Sequence, residues 1–301
     1  MSPDRTVRQA RADDREAVVG FTADTWPEHG DDYIPRVFDE WVATDGPTQR
    51  TFVAAVDGSL AGICQGVLLS DHEAWAQGMR VAPDHRGRGV SPELTRAVFD
   101  WARERGATVC RNMVFSWNAP GLGQSRSVGF EPRTEFRWAT PEPDPDATGP
   151  DDLRVVESPD AAWTAWQRAE GRDRLAGLAL DDEESWALAE LTRERLHDAD
   201  RTLAVRDDDG VHGMTFRARQ GETGSEDGTT ETYAAYGVGV WDDIEAARAL
   251  FAAVARDAAG LGVDRTRVLI PESARHVSDA AYARAGFSDE PDFVLEKDLT
   301  G

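Results

Sequence analysis

The sequence predicts an α/β fold, of the mixed α+β sheet kind, built twice in tandem. Each domain is expected to be a mixed, mostly antiparallel sheet with helices on both faces. Three observations lead there. A glycine-rich turn joins an apolar strand to an amphipathic helix at residues 79–102. The order β, α, α, β, β, β, α, β, α, β can be read along the first half. The same order recurs after the Pro/Asp/Gly-rich stretch TPEPDPDATGPDD, a linker composition. The expected divisions are a domain over 1–140, a linker over 141–151 and a second domain over 152–301.

The elements of the first half follow in order. Thr6–Gln9 is a short strand, and Asp13–Thr25 and Pro35–Thr44 are helical segments. Thr51–Val56 and Leu60–Ser70 flank Asp57-Gly58-Ser59, a hairpin turn. Glu73–Val81 is the next strand. In the helix after the glycine turn, Leu94, Ala97, Val98, Trp101 and Ala102 form one apolar stripe, and Gly106 stops it. Ala107–Phe115 is a buried strand. A short helix near Gln124–Ser127 and the strand Thr134–Ala139 complete the unit. In the second half the strands are Asp152–Val156, Thr202–Arg206, Val211–Arg219, Glu231–Val240, Arg265–Ile270 and Phe293–Leu299. The helices are Asp160–Ala169, Glu183–Leu196, Asp243–Gly260 and Ser278–Ala285.

Composition narrows the function. The chain has 301 residues, 56 acidic against 33 Lys plus Arg, and a formal net charge of −23. Such a surface repels nucleic acid and anionic membranes, so neither is an expected partner. No apolar run is long enough to span a bilayer, and MSPDRTVRQARADDRE has no apolar signal region. A cytoplasmic location is expected. Lys297 is the only lysine. Acidic excess with almost no Lys suggests a halophilic protein whose self-repulsion is screened by salt. Equal stability in dilute and molar KCl would refute that. Cys64 and Cys110 sit in apolar runs and read as core. No cysteine or histidine spacing suits a metal, and none is expected.

Against this acidic background, residues 79–90 carry Arg80, Arg86 and Arg88 with Asp84 alone opposing them. Glycine lets a backbone approach a ligand closely, and successive N–H groups then share one concavity. A helix N-terminus adds unpaired donors. The turn is therefore an anion cradle suited to a phosphate or pyrophosphate.

The spacing Arg86-x-x-Gly89-x-Ser91, after Val81 and Pro83, resembles the acetyl-CoA signature of the GCN5-related N-acetyltransferases. That family's loop reads Gln/Arg-x-x-Gly-x-Gly/Ala. Ser91 departs from the last position, and Pro92 follows it. Ser91 is expected to cap the helix, with Pro92 first inside it. The resemblance covers residues 5–140 well and 152–300 weakly. It implies acetyl-CoA as cosubstrate, with Arg86, Gly87, Arg88, Gly89, Val90 and Ser91 holding the pyrophosphate. It implies that the backbone of Met79 and Val81 pairs with the pantetheine arm. Asn118 matches the family's Asn near the cofactor. The family's general-acid Tyr is replaced by Ser125.

The implied reaction is direct attack of a primary amine on the thioester. The partner is then a small-molecule amine or an amino acid such as histidine; an aminoglycoside-like amine or a protein N-terminus stays open. Alternation along the strand puts Glu73, Trp75, Gln77 and Met79 on one face, which makes Glu73 the candidate base. Glu28, Asp31 and Asp32 could grip a cationic substrate, with Trp26, Trp41 and Trp75 beside it. A non-catalytic CoA-binding or regulatory module is the alternative reading. Aligning Val81 with Val240 removes the Arg/Gly loop from the second half and leaves Trp241-Asp242-Asp243. That half is expected to bind no CoA. The oligomeric state is open.

Overall fold

A computed structural model describes residues 4–23, 25, 32–224 and 230–301. The chain forms two compact units. The first comprises residues 1–114, 118–132 and 295–301; the second comprises 115–117 and 133–294. Residues 295–301, which chain order alone assigns to the second half, thus belong to the first unit.

In the first unit β1 (Arg5–Gln9) is followed by α1 (Arg15–Thr22) and α2 (Ile34–Thr44). Then come β2 (Gln49–Val56), β3 (Ser59–Leu68) and β4 (Glu73–Val81). The unit continues with α3 (Val90–Arg103), β5 (Val109–Phe115) and α4 (Ala119–Ser127). The sheet order is β1-β2-β3-β4-β5, and the end of the last strand lies beside β5. Pairing is antiparallel from β1 to β4 and parallel between β4 and β5.

Strand alternation sends neighbouring residues to opposite faces. On one face Val53 and Ile63 pack with Val18, Ile34 and Phe38 of α1 and α2. On the other, α3 lies close over Gly62 and Gly66. A Cβ at Gly62 would sit 2.9 Å from Leu94, and one at Gly66 would sit 2.8 Å from Val98. The stripe expected on α3 is the buried one: Leu94, Val98, Trp101 and Ala102 are all core. Cys64 and Cys110 are buried too, and burial pushes the Cys64 thiol up to about 12.

The second unit takes the rest of β6 (Glu131–Thr140), then β7 (Arg154–Glu157), α5 (Pro159–Arg168) and α6 (Glu170–Arg174). The short strands β8 (Leu178–Leu180) and β9 (Leu188–Glu190) precede α7 (Arg193–Asp198). Next are β10 (Arg201–Arg206), β11 (Val211–Gly224), β12 (Thr230–Trp241) and α8 (Ile244–Leu261). The unit ends with β13 (Arg265–Pro271), α9 (Ala274–Tyr282), β14 (Gly286–Phe287) and the start of β15 (Asp292–Asp298). Its sheet order is β6-β13-β12-β11-β10-β7.

Where a helix is expected over Glu183–Leu196, the chain instead forms β9, which pairs back with β8, and then the six-residue helix α7. Asp181 explains part of this: its Oδ1 accepts from the N–H groups of Glu183 and Glu184, and such side-chain bonding competes with helix.

The two units share one internal feature. Between Ile63/Gln65 and Arg80/Gln77 the register slips by one residue, a bulge at Gly78 and Met79. Between Thr215/Arg217 and Gly239/Tyr236 the same slip occurs at Gly237 and Val238. The loops after the bulged strands differ. Residues 82–89 separate β4 from α3, whereas only Asp242 and Asp243 separate β12 from α8.

Candidate active site

The parallel β4–β5 ladder is short. Glu73, Ala74 and Trp75 pair with Val109, Cys110 and Arg111, and no register continues beyond. From Ala76 onward no described strand pairs with the β5 side of β4, although backbone polar groups need partners. The Gly78–Met79 bulge lies on this stretch. Gly78 holds φ +65°, and a Cβ there would come within 2.5 Å of the Trp41 ring. Only glycine fits both constraints. Bulges re-aim backbone groups, and this one takes Gly78 and Met79 out of register with β3.

The bulge also resets which side chains share a face. Gln77 pairs with Gln65, and Arg80 pairs with Ile63. Arg80, not Met79, therefore follows Gln77 on the face covered by α1 and α2. There its Nε donates to Asp32 Oδ2 at 2.6 Å and its Nη2 to Oδ1 at 3.2 Å. Both side chains are buried. Asp32 also accepts from the Ile34 N–H, fixing the start of α2. Asp32 is thus committed to Arg80 and is not an open grip for a cationic substrate. Glu28, Asp31 and Trp26 lie outside the described residues. Trp75 is core, and Trp41 packs over Gly78.

Gln77 heads a polar chain across the sheet. Its Nε2 donates to Gln65 Oε1 (2.8 Å), and Gln65 Nε2 donates to Thr51 Oγ1 (3.2 Å). The Thr51 hydroxyl in turn donates to Asp45 Oδ1 (3.1 Å). Burial raises the Asp45 carboxyl above the usual carboxylate range.

The glycine loop is built as an open cradle. Gly87 and Gly89 hold φ +70° and +83°. Arg86, Gly87 and Arg88 are exposed. Gly89 caps α3, so the N–H groups of Val90 and Ser91 in its first turn have no acceptor within the helix. Unpaired donors at a helix start suit an anion. Gly89, in the left-handed region, is the cap of α3, and no side chain bonds the cap. Ser91 is therefore inside the first turn, not at the cap, and Pro92 sits two residues deeper than expected. Its missing N–H belongs to a position unpaired in any helix. Val90 is buried beneath the loop. The Arg86 side chain folds back, Nε donating to the Val81 carbonyl at 3.3 Å; it braces the turn rather than reaching outward.

Sequence reading missed Arg5. From β1 it pairs with Glu93 at 2.7 Å and lies 3.1 Å from the position a Gly89 Cβ would occupy. It adds a cation beside the cradle. Eighty-four residues separate it from Gly89, so no local pattern could reveal it.

Glu73 stands at the closed end of β4. Its Oε1 accepts from Arg111 Nη1 at 2.5 Å, its Oε2 from Ser70 at 3.0 Å, and it is buried. Arg111 also donates to Glu296 at 2.6 Å. Six residues of strand separate Glu73 from Met79, about 20 Å at the rise of an extended chain. Proton transfer needs contact or a single bridging water, so Glu73 is not placed to deprotonate an amine attacking near the bulge. Ser125 is buried, its Oγ accepting from Asn112 Nδ2 of β5 at 2.9 Å. Asn118 caps α4, its Oδ1 accepting from Gly121 N–H at 3.0 Å.

In the second unit the Asp243 carboxylate accepts from the Ala246 N–H at 2.8 Å. A side-chain anion thus occupies the helix start that a pyrophosphate would need. No helix among the described residues is long and apolar enough to cross a membrane.

A profile of the acetyltransferase (GNAT) family matches residues 13–130. The streptothricin acetyltransferase of Streptomyces lavendulae is 34% identical, with 41% of this chain and 79% of that protein covered. The crystal structure of a GCN5-related N-acetyltransferase from Sphaerobacter thermophilus superposes with a TM-score of 0.62. It covers 99% of this chain and 97% of its own at 14% identity. A putative acetyltransferase from Pyrococcus horikoshii gives 0.53 over 98% and 89% at 16% identity. At these identities the two structures speak for the fold alone.

Proposed function

Since the chain belongs to the GCN5-related N-acetyltransferase family and is an acetyl-CoA-dependent acyltransferase, we propose that its first unit acetylates a small basic amine at the β4 bulge. The observation that carries this reading is the conjunction of the open cradle with the strand edge leading away from it. The exposed glycine turn at 86–88 and the first-turn N–H groups of α3 behind the Gly89 cap suit the pyrophosphate of CoA. The β4 edge beyond Trp75 suits the pantetheine amides, which would supply the missing ladder partners. Arg5, beside Gly89, would add charge to the phosphate site. Both glycines and the shape of the cradle fit the group.

In this reading the acetyl carbonyl would lie at Met79, one of the two bulge residues with no opposed residue on β3. A preorganised N–H there would stabilise the oxyanion formed when the amine attacks. The amine nitrogen forms the new bond to the carbonyl carbon, the C–S bond breaks, and the thiolate leaves. The amine would lose its proton to water, since Glu73 is distant and Asp32 is paired with Arg80. Ser125 and Asn112, bonded to each other on α4 and β5, would stand on the thiolate side; the thiolate would take its proton from solvent. The similarity to streptothricin acetyltransferase supports a cationic small molecule as acceptor. The acidic cap at Asp243 supports a second unit that binds no CoA.

The test is CoA release from acetyl-CoA with a panel of amines: streptothricin, histidine, an aminoglycoside and a peptide with a free N-terminus. Turnover with streptothricin or another small amine is expected. Tight acetyl-CoA binding without turnover on any amine would favour the non-catalytic module instead.

A further inference from the structure

The second unit holds a cation that the acetyl-transfer reading does not use. Arg267, on β13, is surrounded by three rings. Its guanidinium carbon lies 4.7 Å from the Trp138 ring centroid, 4.8 Å from Trp186 and 4.7 Å from Tyr233. Its Nε and Nη2 are buried and have no hydrogen-bond partner among the described residues. Those two nitrogens form one side of the guanidinium, the fork that takes a carboxylate in two parallel bonds.

The same fork is filled elsewhere in this chain. Arg80 gives Nε and Nη2 to Asp32, and Arg137 gives them to Glu272. With 56 acidic residues in the sequence, a carboxylate opposite Arg267 would be easy to supply, yet none of the described residues puts one there. Ring faces offset part of the cost of burying a cation, but they do not satisfy in-plane N–H groups, and unmade hydrogen bonds in a buried site are costly. Burial disfavours the charged form of Arg267; Tyr233 opposes this in part and Arg219 adds to it.

The ring over this site is also the least secured. Trp186 is 38% exposed and holds φ +69°, a region that a bulky residue seldom adopts. Its loop is tied by Arg219, which donates to Ser185 Oγ (2.7 Å) and to the Glu183 carbonyl (2.6 Å). Movement of this one indole would uncover the fork between the rings of Trp138 and Tyr233.

We infer that the Arg267 fork is a binding site for the carboxylate of a small ligand with a flat apolar body, admitted when Trp186 swings aside and clasped when it returns. The carboxylate would take the Nε and Nη2 hydrogens, and the apolar body would stack among the rings. No bond is made or broken. The inference stands apart from acetyl transfer, and its test reads no activity.

The probe is 4-fluorobenzoate, followed by fluorine NMR line broadening on the full chain, with 4-fluorobenzamide as a neutral match. Saturable broadening by the acid, at least tenfold weaker for the amide, is expected. The Arg267→Gln variant should weaken acid binding at least tenfold while keeping a cooperative thermal transition. If that variant does not fold, hydrogen exchange of the wild type decides: the acid should slow exchange across residues 182–187, and the amide should not. Absence of saturable broadening in the wild type, equal binding of acid and amide, undiminished binding in a folded variant, or unchanged exchange at 182–187 would overturn the proposal and leave Arg267 as a structural cation among rings.

Discussion

Replacing Glu73 with Gln separates a structural carboxylate from a catalytic one. In the folded protein Glu73 and Arg111 are both almost fully buried, and the Arg111 guanidinium bridges Glu73 and Glu296. Removing one partner of a buried pair costs roughly 3–5 kcal/mol when the other charge is orphaned. Here Arg111 keeps Glu296 at 2.6 Å, and a Gln oxygen can still accept from it. The expected loss is therefore smaller, about 2 kcal/mol, near that of one charge-assisted hydrogen bond. For a unit of this size that lowers the melting temperature by about 4–8 °C. Activity should respond little. Loss of a general base lowers turnover by about 10²–10⁴-fold, whereas kcat of folded Glu73→Gln should stay within about threefold of wild type, the margin left for a remote structural change. Thermal unfolding and steady-state CoA release on the same preparation measure both. An unchanged melting temperature with a hundredfold fall in kcat would refute the structural assignment and restore Glu73 as the base.

Two further predictions follow from the geometry. Gly78→Ala forces a Cβ to within 2.5 Å of the Trp41 ring at φ +65°, so it should cost about 2 kcal/mol or more and lower kcat more than it raises KM for acetyl-CoA; a thermal melt and a kinetic split check it. Two buried groups in the second unit should give opposing pH slopes. Burial pushes the Asp292 carboxyl up to about 7 from an ordinary 3.8, so between those values the folded state holds the extra proton and stability falls as pH rises. Burial pushes His276 down to about 4 from 6.5, so between those values the unfolded state holds the extra proton and stability rises with pH. Asp292→Asn should therefore gain melting temperature relative to wild type from pH 4 to 7, and His276→Gln should lose it from pH 4 to 6.5. Parallel curves for wild type and variants would contradict the assignments.

What the sequence made legible was local. The strand–glycine loop–helix run at 79–102 announces itself because glycine spacing and an apolar stripe are both short-range signals. The glycine turn and the buried face of α3 could be read there, and the short acidic turn Asp242-Asp243 at the matching place in the second half. The misreadings share a cause. Alternation along β4 assumes an unbroken register, and the bulge at Gly78 exchanges Met79 for Arg80 on the α1/α2 face. That one residue ties up Asp32. The cap moved from Ser91 to Gly89 because a left-handed glycine can open a helix as well as close a turn. Arg5 and Glu296 reach the first unit's elements from distant strands, which no window of sequence brings together. Strand β9 replaced part of a helix just after Asp181 captured two backbone N–H groups.

The central claim is that the loop at 87–91 holds the CoA pyrophosphate. Calorimetric titration of acetyl-CoA in molar KCl, wild type beside Gly89→Glu, tests it most directly. The variant adds a side chain at φ +83°, next to Arg5, and puts a carboxylate in the cradle. Micromolar binding to the wild type, weakened at least a hundredfold in a folded variant, is the predicted result. Equal binding by both proteins, or no binding by the wild type, would contradict the account.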